Sequence, residues 1–327
     1  MVHGRTRVDT ARVTAHSGSG SGRPLVSLRD CGNAAIYSVL APIAWTLSEN
    51  ALPGVAKKIA GLITPTLKSK TVADRYRRSI LGPLVTGERA AEIQRAIVAH
   101  LILERLYLLR RFRPDGWQPN YGIIGGQHIE AALAGGRGAL LWGMPFRYSD
   151  LVTKIAFAQE GWTVSHLSAL DHPGPNSRLA GALLNQARTL IERRNLAEHL
   201  KIERDNRVQG RPILDVLAER LRGNGMVSIT VGKTGKQTRT VPLLNGRLPL
   251  AIEPAHLALK SGAPNLPVFT IADRPGHFSI TIGRPLDAGT SGNDEERIDA
   301  MLYDFAERLA PLAESRPGQF PWDRFTA

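Results

Sequence analysis

Cysteine is almost absent from this chain, which has one, Cys31, among 327 residues. A single cysteine excludes a disulfide framework, so a reducing compartment is the default expectation. No Cys and His spacing of the kind that holds zinc is present, and we expect neither a metal nor a cofactor. The start of the chain also lacks an apolar segment followed by a small-residue cleavage site, so no secretory signal is predicted.

Acidic residues are fewer than basic ones. The chain has 29 Asp and Glu against 42 Lys and Arg, which gives a formal net charge of +13 with histidine neutral. Hydrophobic residues make up 43%, as in a folded protein with one large or two modest domains. The basic excess suits nucleic acid, an anionic membrane surface or an acidic partner, and charge alone does not choose among them.

Changes in composition divide the chain into three predicted regions. Residues 1–25 are basic and rich in Gly and Ser, which predicts a disordered tail. Residues 26–118 are predicted to be a helical, basic region that faces a membrane or a partner. Residues 119–327 are predicted to form an α/β domain.

The run from Cys31 to Ser48 contains no charged residue. As a helix, its 18 residues would extend about 27 Å, just short of the hydrocarbon core of a bilayer. Pro42 interrupts it, and Gly32 and Ser38 dilute its apolar character. We therefore expect a helix pair that packs on the core or lies in the membrane interface, rather than a membrane span.

Basic charge is concentrated between Thr66 and Arg113, where eleven basic residues oppose four acidic ones. Within this stretch, residues 88–112 predict a helix, because Ile93, Ile97 and Leu101 recur every four residues. The second half of that helix is apolar nearly all round, so it is either buried or lipid-facing. A buried helix with a solvated basic end and a surface that docks on an acidic partner both remain open.

Short β-branched runs alternate with helical patterns after Tyr121, which predicts an α/β fold with a mostly parallel central sheet flanked by helices. The predicted strands are residues 138–142, 163–167, 226–231, 266–271 and 277–282. The predicted helices are residues 127–134, 147–160, 175–198, 211–222, 248–261 and 294–312. Asn293 and Glu296 predict a capping box at the start of the last helix.

Polar segments follow three of the predicted strands: residues 143–150, 168–173 and 232–236. Ligands of open α/β sheets bind beyond the carboxyl ends of the strands. Arg147 in the first segment is suited to phosphate or carboxylate, although a solvated arginine is an equally simple interpretation. The third segment lacks P-loop spacing, so we interpret it as a basic active-site loop in which Lys233 and Lys236 could contact a phosphorylated group.

Five blocks in the second half of the chain, taken together and in this order, resemble the lysophospholipid-acyltransferase-like superfamily, in particular the bacterial lipid A late acyltransferases. The resemblance extends from about Gly125 to Phe325. Its blocks are residues 126–141, Pro173 with Asn176, and residues 241–246, 257–269 and 317–325. It implies transfer of an acyl group from an acyl carrier protein or coenzyme A thioester to a hydroxyl or amine acceptor.

The resemblance fails at the residue that matters most for catalysis. Members of the superfamily use a His as general base, followed after four intervening residues by an Asp or Glu that orients it. Here the position of the base is taken by Pro145, while the acid is present as Asp150. A positioned base contributes typically ~10²–10⁴ in rate, so the reaction requires a replacement. Two further departures are Gly232, where relatives often have Asp, and His172, where they usually have Arg.

His166 and His172 are the candidates for a relocated base. Both lie at or just beyond the end of the strand that neighbours Asp150, so a parallel sheet would place all three on one crevice. Both could equally be ordinary loop or half-buried histidines, and Asp150 would be favoured near a helix N-terminus whatever its chemistry. The resemblance and the strand ends together assign substrate contacts to Arg147, Tyr148, Asn176, Lys233 and Lys236. His128 and His256 fall within predicted helices and are expected to be structural.

The sequence therefore predicts an acyltransferase with a substituted base, peripheral at the inner, cytoplasmic face of the cytoplasmic membrane. Basic residues near an anionic bilayer contribute about 1 kcal/mol each, which makes that surface the expected partner. The alternative is a non-catalytic relative that binds lipid or acyl carrier protein. Nucleic acid is not expected, because few aromatics are interleaved with the basic stretch and no recognised motif is present.

Overall fold

The computed structural model describes residues 28–66, 71–113, 116–169, 195–196, 198–202, 207–208, 211–231, 237–289 and 292–322. The predicted disordered tail, residues 1–25, lies outside these residues. Within the described residues the chain is an α/β protein with a helical N-terminal region, as the sequence predicts.

Four helices form the N-terminal region: α1 (Leu28–Thr46), α2 (Leu52–Ile63), α3 (Thr71–Leu81) and α4 (Gly87–Arg110). The start of α4 is capped by Thr86, whose hydroxyl accepts a hydrogen bond from the Arg89 N–H at 3.2 Å. The second half of α4 is buried inside the protein rather than facing lipid. Its buried side chains are Val98, Ile102, Leu103, Leu106 and Tyr107.

The expected helix pair at residues 31–48 is wrong, because α1 is one helix that contains Pro42. Proline removes a helical donor and normally breaks a helix. Here Leu40 and Ala44, which flank Pro42, are both buried. The Trp45 indole N–H also donates to the Leu109 carbonyl at 3.0 Å. These contacts hold the segments on both sides of the proline against α4.

Seven strands form the central sheet, in the order β1-β11-β10-β2-β7-β3-β4. Neighbouring strands are parallel except for the antiparallel pair β10 and β11. The strands are β1 (Asn120–Ile124), β2 (Ala139–Gly143), β3 (Val164–Ala169), β4 (Glu198–Ile202), β7 (Met226–Thr230), β10 (Asn265–Arg274) and β11 (His277–Ile282). Two small hairpins lie outside the sheet: β5 (Arg207–Val208) with β6 (Arg211–Pro212), and β8 (Thr238–Leu243) with β9 (Gly246–Ala251).

In the described part of the chain, five helices accompany the sheet: α5 (Gln127–Ala134), α6 (Lys154–Gln159), α7 (Ile213–Arg222), α8 (Glu253–Ser261) and α9 (Asp294–Ser315). A short π-helical segment, Ser149–Thr153, precedes α6. The capping box of α9 is confirmed, because the Asn293 side chain accepts from the Glu296 N–H and the Glu296 carboxylate accepts from the Asn293 N–H.

Alternation along the strands gives the sheet two different faces. The side that we call the core face carries Leu140, Trp142, Val227, Ile229 and Phe269, which pack in one cluster with buried residues of α7, α8 and α9. The other side, which we call the crevice face, carries Leu141, Val164, Leu266 and Val268, which pack with α4, α5 and α6.

The five predicted strands are confirmed to within a few residues, whereas several helix boundaries are wrong. The predicted helix 248–261 begins as strand β9, because the two-residue turn Leu244–Asn245 folds Leu248 and Leu250 back against β8. The predicted helix 147–160 starts as the π-helical segment, and 211–222 becomes helical only at Ile213. Residues 175–194 of the predicted helix 175–198 lie outside the described residues, and Glu198 begins β4.

Candidate functional site

A crevice opens on the crevice face, beneath the π-helical segment and α6. It encloses about 490 Å³, its open mouth included. Residues at the carboxyl ends of the parallel strands β2 and β7 and in the first half of β3 form its base, together with Val268 and Thr270 of β10. This is the edge of an open α/β sheet at which ligands bind, as the sequence predicts.

Strand alternation places three hydroxyl groups among the apolar side chains at the base of the crevice. Ser228 and Thr230 of β7 point to the same side, and Thr270 of β10 lies on the same face. The Thr270 hydroxyl is fully buried and lies 2.7 Å from the hydroxyl of Thr153, which belongs to the π-helical segment. In β7 the crevice therefore carries the hydroxyl groups of Ser228 and Thr230, whereas the opposite face of the same strand carries Val227 and Ile229.

His166 is one of the predicted catalytic residues, and the structure places it in this crevice. It lies within β3 rather than at the strand end predicted from the sequence, because β3 continues to Ala169. It is 6% exposed, and its Nδ1 is 3.3 Å from the Ser228 hydroxyl. β3 pairs with β7 in a register that sets His166 directly opposite Ser228. The neighbouring strand therefore fixes the orientation of the imidazole ring by a contact at one of its two nitrogens.

Asp150, the predicted orienting acid, lines the same crevice from the opposite wall. It lies in the π-helical segment Ser149–Thr153, and its side chain is exposed. The hydroxyl of Ser149 donates to the Met144 carbonyl at 2.9 Å, which anchors the start of the segment to the end of β2. Such π-helical turns occur frequently at functional sites. The structure thus brings Asp150 and His166 to one cavity.

Lys154 is a residue of the crevice that the sequence reasoning did not identify. It begins α6, four residues after Asp150, and is only 8% exposed. Lysine is rarely buried to this extent unless it is paired. Ser228, Thr230, Thr153 and Thr270 were missed as well. The signal for Lys154 was its helical spacing from Asp150, and the signal for Ser228 and Thr230 was their alternation with apolar residues in β7.

Pro145 occupies the position at which the resemblance implies a base, and it is buried. The preceding residue, Met144, donates its backbone N–H to the Val268 carbonyl at 3.0 Å, which extends the pairing of β2 with β10 up to the proline. Proline has no backbone N–H and no group that can accept a proton. A base in this crevice must therefore come from another element.

Tyr148, predicted to contact substrate, is fully buried and does not line the crevice in the described part of the chain. Its hydroxyl lies 2.5 Å from Nδ1 of His100 on α4. Burial lowers the pKa of His100 to about 4, and the positive charges of Arg147, Lys57 and Arg316 act in the same direction. Burial also raises the pKa of Tyr148 well above its usual value. Tyr148 therefore joins the strand-end segment to the helical region.

Arg147 is half-buried and likewise is not among the described residues that line the crevice. Its backbone N–H donates to the Gln319 carbonyl at 3.3 Å. The Gln319 side chain in turn makes two hydrogen bonds of 2.8 Å with the backbone of Ala272 on β10. The backbone of Arg147 is thereby attached to the chain segment that follows α9. The predicted residues His172, Asn176, Lys233 and Lys236 lie outside the described residues.

Some of the basic residues between Thr66 and Arg113 bind other groups of the protein. Arg77 is buried and contacts both Asp74 and Gln94. Arg110 donates to the carbonyls of Ala44 and Leu47 at 3.0 and 2.7 Å. These arginines hold the helices together, so the net charge of this stretch overstates what a partner would meet.

Exposed apolar side chains are concentrated on the first two helices. The large ones are Ile36, Val39 and Trp45 on α1 and Leu62 and Ile63 on α2, with exposures between 38% and 78%. None of the described helices is long and apolar enough to span a bilayer.

Comparison with models of known protein families gives no match to this chain, and comparison with curated proteins finds none that is significantly similar.

Proposed function

We propose that this chain is an acyltransferase that moves an acyl group from an acyl carrier protein or coenzyme A thioester to a hydroxyl or amine acceptor in the crevice. The observation that carries the proposal is that His166 and Asp150 both line one crevice, which also reaches the carboxyl ends of β2 and β7. The sequence blocks that resemble lipid A acyltransferases support the same activity.

His166 takes the role of general base in this proposal. Nδ1–H donates to the Ser228 hydroxyl in the active tautomer, so Nε2 is the basic nitrogen. Nε2 removes the proton of the acceptor while the acceptor oxygen or nitrogen attacks the thioester carbonyl. The carbon–sulfur bond then breaks, and the imidazolium returns the proton to the leaving thiolate. Acceptor and thioester become an ester or amide and a free thiol.

Asp150 and Lys154 supply charge of opposite sign at the crevice. The carboxylate of Asp150 stabilises the imidazolium that forms during proton transfer, as the acid of a catalytic triad does. The ammonium group of Lys154 stabilises the negative charge that develops on the thioester oxygen. The effect of Lys154 is strengthened because its side chain is largely shielded from water.

The test is release of free thiol from acyl-coenzyme A and acyl carrier protein thioesters, measured with lipid, hydroxyl and amine acceptors. We expect His166→Gln and Asp150→Asn to lower kcat by ~10²–10⁴ and ~10-fold or more, respectively. The matched control is His256→Gln, which changes a half-buried histidine of α8 away from the crevice. His172→Ala is measured beside them as the competing candidate for the base.

Two outcomes would contradict the proposal. Turnover by neither the parent nor any variant across these acceptors would reject the activity. Full activity of His166→Gln with loss in His172→Ala would reject His166 as the base while keeping the acyltransferase assignment.

A non-catalytic relative that binds lipid or acyl carrier protein is the second candidate, and buried Pro145 favours it. It predicts saturable binding of an acyl thioester or its carrier without release of thiol. Appearance of activity in Pro145→His would identify the parent as a protein that has lost its base. Turnover by the parent itself would exclude this candidate.

We further propose that the protein lies peripherally on the inner face of the cytoplasmic membrane through the apolar side chains of α1 and α2. Val39 and Leu62 are 65% and 78% exposed, and the exposed Lys57 and Lys58 lie on α2 beside anionic headgroups in this arrangement. The expected result is co-flotation with vesicles containing anionic lipid, weakened in the variant Val39→Glu/Leu62→Glu. Equal flotation of parent and variant would reject this surface.

A further inference from the structure

A second cavity lies at the other end of the sheet, where β10 begins. It encloses about 760 Å³, its open mouth included. Its walls come from α8, from α9 and from the segment that follows β11, and most of them are apolar. The apolar side chains include Ala258, Leu259, Ala263, Leu286, Ala288 and Met301. Among the described residues, the charged side chains that line it are those of Arg137 and Arg297.

Asn265 is a buried polar residue at this cavity. It is the first residue of β10 and precedes Phe269 by four residues. Because side chains alternate along a strand, both lie on the core face, toward α8 and α9. It is 3% exposed, and neither Nδ2 nor Oδ1 has a hydrogen-bond partner among the described residues. Leaving a buried polar group without a hydrogen bond is unfavourable, so a polar ligand atom that reached the carboxamide would be stabilised there.

Arg137 is held at the cavity by a tight turn between α5 and β2. Gly136 and Gly138 have φ values of 70° and 69°, a region that disfavours side chains. A Cβ at Gly138 would lie 2.4 Å from the Gly225 carbonyl oxygen, and the Gly138 N–H is bound by the Asn224 side chain at 2.9 Å. These constraints fix the backbone conformation on both sides of Arg137.

The two strands bring Arg137 and Asn265 to one place. β2 and β10 are parallel neighbours with Leu140 opposite Asn265, so Arg137 precedes this pair by three residues. Within the described residues the Arg137 side chain makes no hydrogen bond or ion pair, and its side chain is exposed. Arg297 enters from α9, where its Nη1 is 3.9 Å from the Asp294 carboxylate, an exposed and weak pairing.

We propose that this cavity binds a small anion that carries an apolar group. The guanidinium groups of Arg137 and Arg297 and the Nδ2 donor of Asn265 bind the anionic head, for which arginine is well suited whether the head is a carboxylate or a phosphate. The chain of the ligand lies on Leu259, Leu286 and Met301. The site does not depend on the proposed acyltransferase activity, because it occupies the opposite face and the opposite end of β10.

The test is isothermal titration and thermal unfolding with octanoate and hexyl phosphate, which distinguish the two kinds of head group. Octanol and octylamine, which share the chain but not the negative charge, serve as control ligands. We expect saturable binding at one site and a raised Tm with at least one of the anions. We expect at least tenfold weaker binding of both control ligands.

Three variants locate the site. Arg137→Ala/Arg297→Ala is expected to weaken anion binding at least tenfold. Asn265→Leu, which replaces the unpaired carboxamide with an apolar group of similar size, is expected to weaken it similarly while the Tm of the unliganded protein is kept or raised. Arg284→Ala is the matched control, because Arg284 is exposed and adjoins the lining residue Pro285 but does not itself line the cavity. The anion affinity of this variant should equal that of the parent.

Absence of saturable anion binding would overturn the proposal. Binding of octanol as strong as that of octanoate would overturn it as well, since the cavity would then be only an apolar groove. Unchanged affinity in the double arginine variant or in a folded Asn265→Leu variant would place the anion elsewhere.

Discussion

The two faces of the central sheet are made by the same strands but carry different kinds of side chain. In β7, Val227 and Ile229 are buried in the large apolar cluster, while Ser228 and Thr230 line the crevice. In β2, Trp142 is fully buried on the core face, whereas Gly143 opens the crevice. Both faces bury apolar side chains, and the crevice face also carries hydroxyl and imidazole groups beside the ammonium group of Lys154 on α6. A two-residue period allows one strand to contribute to both faces.

The largest expected effect concerns the core face. The Trp142 ring lies 4.4 Å from that of Phe305 on α9, centroid to centroid. Trp142→Ala leaves a large cavity, so we expect the free energy of unfolding to fall by roughly 3–5 kcal/mol in chemical denaturation. The matched change on the crevice face, Thr230→Ala, should cost less than about 1 kcal/mol. Equal losses for the two variants would contradict the division of roles between the faces.

A smaller effect concerns pH and the cluster beneath the crevice face. The pKa of His100 is lowered from 6.5 to about 4 by burial, so the unfolded chain binds more protons than the folded chain between these values. Stability is therefore expected to fall as pH drops below about 6.5 and to have lost ~3 kcal/mol once pH is below about 4.

His100→Gln tests this assignment, because glutamine can still hydrogen-bond to Tyr148 but does not titrate. The difference in unfolding free energy between pH 7.5 and pH 5 should be smaller in the variant than in the parent. As the pH is lowered, the amides of α4 should lose their protection from hydrogen exchange before those of α9 do. Identical pH profiles for parent and variant would show that His100 does not control this loss.

The smallest expected effect concerns the paired hydroxyls of Thr153 and Thr270. Thr270→Val leaves the Thr153 hydroxyl without its 2.7 Å partner, and we expect a loss of ~1–2 kcal/mol. Thr153→Val/Thr270→Val removes both groups and should restore most of that loss. A double-mutant cycle by urea denaturation measures the coupling, and additive losses would mean that the contact is not stabilising.

Much of the α/β architecture was predictable because it depends on local periodicity. The strands near residues 138–142 and 266–271 were visible as short apolar runs, and the start of the last helix was visible from the capping-box residues Asn293 and Glu296. The strand at Gly246–Ala251 was missed, because Leu248 and Leu250 fit a helical pattern as well as a strand. Pairing with β8 decided between them, and such pairing is not a local property.

The candidate site was predictable only in part. The rule that ligands bind at strand ends led to Asp150 and His166, which do share a crevice. Lys154 and Ser228 were missed, because their importance comes from the register of β3 with β7 and from the way α6 covers the sheet. Tyr148 was expected at substrate, but the structure buries it against His100, a contact between residues 48 positions apart.

The alternation of strands and helices, the single cysteine, the basic excess and the position of Pro145 are all visible in the sequence, because each is a property of composition or local order. Only the tertiary structure decides which side of each strand packs in the apolar core and which side lines the crevice. It also decides that Arg77 and Arg110 bind other groups of the protein, and that Asn265 and Arg137 line one cavity at the start of β10. These outcomes depend on which segments pack together, and no local pattern contains that information.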